Sequence, residues 1–341
     1  MINWLGSWIL LGKINRLFQI GFVALFMMLV GCSQTEKDEG LEDLTIMLDW
    51  YPNAVHAGIY YAKEKGLFEE EGLNVTIEMP AETNDPLKLA AVGKVDLAIS
   101  YQTQVALSRS EDIPVVSLAT LVRHSLDGIM YKKESGITSP KDLEDKTVGY
   151  SSSEISQAVV ETMVEMDGGD PSKVKMMDVG WDLMPAIGTD NVDAITSAYR
   201  NHELVILKKE GHDIEMIDPS DYGVPESYEL IIVTGEETLK EKKPLFEKFW
   251  RALDKGHEAV KENPEAGLQV LLDHENDSFP LDKEIEAESL EILLPLMDSE
   301  NLPFGYQEEE SWEAVIDWLV EKKVIEEKYD AEDVFDNIMS K

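Results

Sequence analysis

Short apolar strands alternate with helices from residue 44 to 234, and the alternation runs, stops and starts again. Leu44, Ile46, Leu48 and Trp50 alternate with Thr45, Met47 and Asp49, a period of two that predicts a strand. Val55, Ile59 and Ala62 fall at i, i+4 and i+7 and predict a helix over 55–65, which Gly66 stops. The spacing then gives a strand at 74–79, a helix at 85–92, a strand at 95–100, a helix from Tyr101 and a strand at 114–121. The second set comprises strands at 146–150, 174–179, 193–198, 213–217 and 228–234, with helices at 154–166 and 200–209. From Gly235 onward everything reads helical, in segments 245–261, 264–273, 282–297, 308–322 and 331–339. Strands alternating with helices specify an α/β fold with largely parallel sheets.

Two such sets followed by a helical tail predict one domain inserted within another, as expected for a chain of 341 residues. Domain one is expected over 44–133 plus 224–341, and domain two over 136–222. The chain then crosses between them twice. In open α/β sheets ligands bind at the carboxyl ends of strands, so both domains should offer strand-end loops to one cleft.

Ahead of this region Lys13 and Arg16 precede an uncharged run from Leu17 to Val30, which ends in Leu29-Val30-Gly31-Cys32. This order reads as a signal peptide over 1–31. The run is shorter than the roughly 20 residues a spanning helix needs. The Leu-Val-Gly-Cys tetrapeptide resembles the bacterial lipobox, in which the cysteine is diacylated and becomes the mature N-terminus. Cys32 is the only cysteine in the chain, which leaves no disulfide framework, no multi-cysteine metal site and no redox pair. Residues 32–43 are polar and acidic and read as a lipid-anchored tether. Two acyl chains anchor a protein stably. The expected location is therefore the extracytoplasmic face of the cell membrane, with the lipid as the only membrane contact.

Charge narrows the partners. Thirty Lys and Arg stand against 68 Asp and Glu, a net charge of −38. So acidic a surface repels phosphate backbones, and nucleic-acid binding is excluded. Arginine is scarce near the strand-end loops, where only Arg109, Arg123 and Arg200 occur, so an anionic ligand is disfavoured. The histidines form no metal-binding spacing, and no phosphate loop, dinucleotide fingerprint or nucleophile elbow is present. No metal and no cofactor are expected, and the chain reads as a binder rather than an enzyme.

Asp49-Trp50-Tyr51-Pro52-Asn53 ends the first strand. A turn rich in Pro and Asn is ordinary turn chemistry. It also sets an indole face and an amide at a strand end. His56 follows in the first turn of the helix.

The stretch DWYPNAVHAGIYYAKEKGLFEEEGLNV resembles the opening of the thiamin-pyrimidine family of type II solute-binding proteins. VGKVDLAISYQTQVALSRS, GITSPKDLEDKTVGYSSSE and VDAITSAYRNHELV extend the resemblance over about residues 44–300. It is strongest to the lipoprotein type that binds formylaminopyrimidine for an ABC importer. Relatives bind nitrate, sulfonate or taurine, and one branch is a eukaryotic pyrimidine synthase. The resemblance implies a two-domain type II periplasmic-binding-protein fold with a ligand cleft between the domains. It also implies a permease with its ATPase as partners, and a role in thiamin-precursor salvage. The synthase branch uses a cysteine-rich iron-binding run that this chain lacks. A monomer is expected.

The resemblance further implies ligand contacts from four strand ends. These are Trp50 and Asn53, Tyr101 and Gln102, Ser151, Ser152 and Ser153 with Glu154, and Tyr199, Asn201 and Glu203. An aminopyrimidine presents an N–H beside a ring nitrogen, an edge that the Glu203 carboxylate can meet with two parallel hydrogen bonds once the ring is protonated or shares a proton. Trp50 and Tyr199 would sandwich the ring. Tyr199 and Glu203 would share one side of a first helical turn if Arg200 opened that helix. Glu203 could equally be a solvated acid paired with Arg200, and the serines could simply cap a helix. Trp181, after Gly180, reads as core packing.

Overall fold

The computed structural model describes residues 40–151, 154–275 and 278–339. The signal peptide, Cys32, most of the tether, Ser152 and Ser153 lie outside the described residues, as does the side chain of Glu154. Residues 41–341 form one compact unit built on two five-stranded sheets.

The first sheet has the order β2-β1-β3-β10-β4. Its strands are β1 (Glu42–Met47), β2 (Leu73–Glu78), β3 (Leu97–Ser100), β4 (Val115–Val122) and β10 (Leu230–Gly235). β1 pairs in parallel with β2 and β3, whereas β10 runs antiparallel between β3 and β4. The second sheet repeats the plan as β7-β6-β8-β5-β9. It uses β5 (Asp127–Lys132), β6 (Thr147–Tyr150), β7 (Lys175–Asp178), β8 (Ala194–Tyr199) and β9 (Ile214–Ile217). Here β5 is the strand that runs antiparallel to its neighbours. Each lobe thus receives one reversed strand immediately after the chain crosses into it.

β5 corrects the sequence reading, which places residues up to 133 in the first domain and no strand at 127–132. The chain enters the second lobe before Asp127. The segment DGIMYK escapes period-two reading because four of its six residues are buried, Gly128 and Tyr131 among them.

Helices cover the sheet faces. α1 (Ala57–Glu64) and α2 (Leu67–Glu70) follow β1, α3 (Asp85–Ala91) follows β2, and α4 (Gln102–Ser110) follows β3. In the second lobe α5 (Glu154–Met166), α6 (Leu183–Gly188) and α7 (Glu203–Lys209) follow β6, β7 and β8. The tail contributes α8 (Glu236–Glu262), α9 (Pro264–Leu272), α10 (Lys283–Met297) and α11 (Glu309–Glu321). α8 runs through Pro244 instead of starting after it. Its buried stripe of Phe246, Phe249, Trp250 and Leu253 outweighs the hydrogen bond the proline removes. Where α8 crosses α1, a Cβ on Gly256 would stand 2.6 Å from the Gly58 carbonyl oxygen, so only glycine permits that approach.

The expected last helix at 331–339 is instead a single 3-10 turn, Ala331–Asp333. Beyond it the chain lies along β4. The Ser117 N–H donates to the Val334 carbonyl, and the Asp336 and Ile338 N–H groups donate to the Ser117 and Leu118 carbonyls. The open edge of a wholly buried strand offers unpaired backbone groups, and covering them outweighs local helix preference.

Candidate functional site

The carboxyl ends of β1, β3, β6 and β8 converge on a partly open cleft between the lobes. Of the residues singled out in the sequence, Trp50, Asn53, Tyr101, Ser151, Tyr199 and Glu203 line it. Gln102 and Asn201 do not. The Gln102 amide accepts from the Tyr228 N–H at 2.6 Å and donates to Ser311 Oγ at 3.2 Å. It ties α4 to the crossover strand and to α11, and it is fully buried. Asn201 Nδ2 donates to Ser289 Oγ on α10 at 3.0 Å, facing away from the cleft.

The first-lobe wall is built by the turn after β1. Asn53 Oδ1 accepts from the Val55 N–H at 3.0 Å, and its Nδ2 donates to the Tyr51 carbonyl at 3.2 Å. This capping locks the turn and still leaves the amide at the cleft surface. His56 is a buried strut. Its Nδ1 accepts from the Asn53 N–H at 3.2 Å, which leaves Nε2 to donate to Asp49 Oδ1 at 3.0 Å. Across the cleft Trp181 comes from the second lobe to lie 4.1 Å, centre to centre, from the Trp50 ring. It is only partly buried, so it is an interlobe contact and not the core residue the sequence suggests.

Glu203 opens α7, and the link back to Tyr199 is not a helical turn. Its Oε2 accepts from the Tyr199 N–H at 2.8 Å and its Oε1 from His202 Nδ1 at 2.7 Å. Burial alone would raise the Glu203 pKa. The neighbouring His202 charge and these hydrogen bonds outweigh it and hold the carboxyl below its usual range. Arg200 is instead paired with Asp218 at 2.6 Å. Each Glu203 oxygen keeps a further lone pair, so a held carboxylate still offers two acceptors to the cleft.

Sequence reasoning missed four more lining acids, Asp49, Asp127, Glu229 and the Arg200-paired Asp218. Glu229 Oε2 accepts the N–H groups of Leu126 and Asp127 at 2.6 and 3.1 Å, where the chain first crosses lobes. Asp127 Oδ1 accepts from Gly128 at 2.7 Å and Ala198 at 3.1 Å. Burial, then the Glu229 charge, pushes Asp127 up to about 8, and burial raises Glu229 as well. Burial also holds the Tyr101 and Tyr199 phenols well above their ordinary range, so both remain hydrogen-bond donors. Ser197, at a positive φ of 61°, sits beside the β5–β8 register shift and shares a 2.9 Å hydrogen bond with Ser156 at the cleft wall. Non-glycine residues in that region concentrate at functional sites.

No lysine or arginine lines the cleft among the described residues. Arg109 is paired with Glu236, and Arg123 lies over the Tyr228 ring and beside Glu308. The one described grouping with metal-ligand geometry, His257, Glu258 and Asp298, has Lys261 at 2.9 Å from Glu258 and 2.6 Å from Asp298. A lysine already neutralises those acids.

Two lobes with matching sheets, one reversed strand apiece and a cleft at the strand ends define the periplasmic-binding-protein fold. The periplasmic aliphatic sulphonate binding protein SsuA from Escherichia coli superposes with a TM-score of 0.66 at 14% identity, over 85% of this chain and 96% of that one. Within that class the chain belongs to the NMT1/THI5-like family, which matches residues 53–267. It is 44% identical over 327 residues to the formylaminopyrimidine-binding protein of Halalkalibacterium halodurans, covering 96% of this chain and 99% of that one. It is also 26% identical over 230 residues to a 4-amino-5-hydroxymethyl-2-methylpyrimidine phosphate synthase of Legionella pneumophila, covering 67% and 72%. No helix among the described residues is long and apolar enough to cross a membrane.

Proposed function

We propose that this protein is the extracytoplasmic solute-binding component of an ABC importer and that it binds formylaminopyrimidine, or a close aminopyrimidine precursor of thiamin, for salvage. The observation that carries this reading is the lining of the cleft, which is rich in acids and aromatic rings and has no lysine or arginine among the described residues. A sulfonate or nitrate would meet Asp49, Glu203 and Glu229, with His202 as the one basic side chain among the described lining residues and that one already held by Glu203. An aminopyrimidine brings N–H donors to those acceptors. The printed name of the 44%-identical relative supports the same ligand.

In this reading Glu203 takes the amino N–H and the protonated ring nitrogen through two parallel hydrogen bonds, the ring carrying or sharing a proton when bound. Trp50 and Tyr199 flank the ring, Asn53, Tyr101 and Ser151 supply polar contacts, and Ser152 and Glu154 remain contacts expected from the resemblance alone. The ligand touches both lobes and so favours the closed arrangement by differential affinity. The closed form docks as a monomer on a permease whose cytoplasmic ATPase supplies the energy. The signal peptide directs export, and diacylated Cys32 holds the protein at the membrane. The protein binds and releases its ligand unchanged, with no metal or cofactor; the single cysteine cannot reproduce the cysteine-rich run of the synthase branch.

Thermal unfolding against formylaminopyrimidine, hydroxymethylpyrimidine, thiamin, taurine and nitrate tests the reading. A ligand at 100 times its Kd stabilises the folded state by about 2.7 kcal/mol. A shift with formylaminopyrimidine, weakened in Glu203→Gln by about 1–3 kcal/mol of binding energy, is expected. Shifts with taurine or nitrate alone would keep the fold and overturn the ligand, in favour of the alternative of another small solute.

A further inference from the structure

The buried histidine beside Glu203 has a second acid on its far side, from the other lobe. His202 Nδ1 lies 2.7 Å from Glu203 Oε1, and its Nε2 lies 4.0 Å from Glu286 Oε1. His202 is 3% exposed and Glu286 2%. Glu286 belongs to α10 of the first lobe, and its Oε2 accepts from the Ala54 N–H at 2.7 Å. That N–H is in the turn whose Asn53 lines the cleft. A line of polar groups therefore runs from the second-lobe wall, through Glu203, His202 and Glu286, to the first-lobe wall, hydrogen-bonded except for the 4.0 Å charge contact between His202 and Glu286. Two further links hold α10 against the second lobe. Asn201 meets Ser289, and Lys209 meets Asp282 at 3.3 Å and Glu284 at 2.9 Å.

We infer that His202 is a positioning residue for ligand binding: as an imidazolium it aims the Glu203 carboxylate into the cleft and, through Glu286, joins that hold to the closing of the lobes. The inference rests on the reading that Glu203 touches the ligand. A neutral imidazole donates from one nitrogen only. With Nδ1–H given to Glu203, its Nε2 lone pair would face the Glu286 carboxylate and repel it. The imidazolium donates on both edges and attracts both acids, and charge-assisted bonds of this kind are roughly twice as strong as neutral ones.

The groups facing His202 are Glu203 on its own element, Glu286 on α10, and Asp49 and Tyr51 beyond β1, the Tyr51 ring standing edge-on at 5.5 Å. Burial lowers the basicity of His202, but the charges of Glu203, Glu286 and Asp49 outweigh it and hold the ring above its ordinary range. The charged form, and with it the interlobe attraction, is complete below the ordinary histidine range. It is lost as pH rises through the raised value.

The test follows affinity for formylaminopyrimidine by calorimetry between about pH 6 and 9 in the wild type, H202Q and E286Q, alongside NMR titration of the His202 ring without ligand. The wild type should bind less tightly as the ring deprotonates. H202Q should bind about tenfold more weakly at the acid end and lose that part of the pH dependence, leaving only the part due to Asp127 and Glu229. E286Q should keep the Glu203 contact and move the His202 transition to lower pH, which a merely structural role would not do. Wild-type affinity and pH profile in H202Q, or a ring already neutral near pH 7, would overturn the inference. If the wild type binds no pyrimidine, the ligand reading fails by itself. The NMR arm still decides the interlobe link by itself: a His202 transition that does not move to lower pH in E286Q overturns it.

Discussion

Three partners compete for the Glu203 carboxylate: the Tyr199 N–H, His202 and the open cleft. The sequence marks this glutamate only through the Tyr-x-Asn-x-Glu spacing of a resembled family, since one acid among 68 is otherwise indistinguishable from surface charge. That is why Asp127 and Glu229 stayed invisible. Their significance comes from the crossover, which brings the buried Glu229 beside the half-buried Asp127, and no local pattern announces it. Gln102 and Asn201 fail in the opposite sense, being adjacent to cleft residues in sequence but turned the other way.

Asp127 carries a pH signature. Its folded-state carboxyl holds a proton up to about 8, whereas an unfolded Asp releases it near 3.9. Between those values the folded state binds more protons, so stability falls as pH rises through the window. Asp127→Asn removes this slope. Thermal unfolding followed by circular dichroism across the window should show a Tm that declines less steeply in the variant. An unchanged slope would contradict the burial of that acid.

Among the elements, strongly periodic segments were the legible ones, and α5 occupies the whole of the expected 154–166 span. The misreadings share a cause, that long-range pairing decided what local preference could not. β5 exists because β8 and β9 accept it on either side, and the tail leaves its helix because β4 has an edge to cover. The packing of α8 on α1 is equally non-local. Placing a Cβ at residue 256 drives it into the Gly58 carbonyl oxygen. Gly256→Ala should therefore destabilise the protein by on the order of 1–3 kcal/mol, measured by denaturant unfolding. Ligand affinity should be unchanged, because the contact lies on the face of α1 away from the cleft. Full stability in Gly256→Ala would show that the two helices separate without cost.

For the molecule as a whole, the two lobes meet across the cleft at several points. The Trp50 ring lies tilted against Trp181 and His202 faces Glu286, while Trp318 Nε1 donates to Thr162 Oγ1 at 3.3 Å and joins α11 to α5. The repeated alternation in the sequence foretold two α/β sets and a shared cleft. Which side chains bridge the lobes depends on three-dimensional placement, and Trp181 shows the difference. Acid-rich walls with no lysine or arginine among the described residues are the whole-molecule feature on which the proposed preference for a donor-bearing ring rests.

The most direct measurement is a crystal structure of the protein grown with formylaminopyrimidine. The pyrimidine should lie between Trp50 and Tyr199 with its amino edge on the two Glu203 oxygens, and with Trp181 still against Trp50. A pyrimidine bound away from Glu203, or a cleft that admits only an anion, would contradict the account.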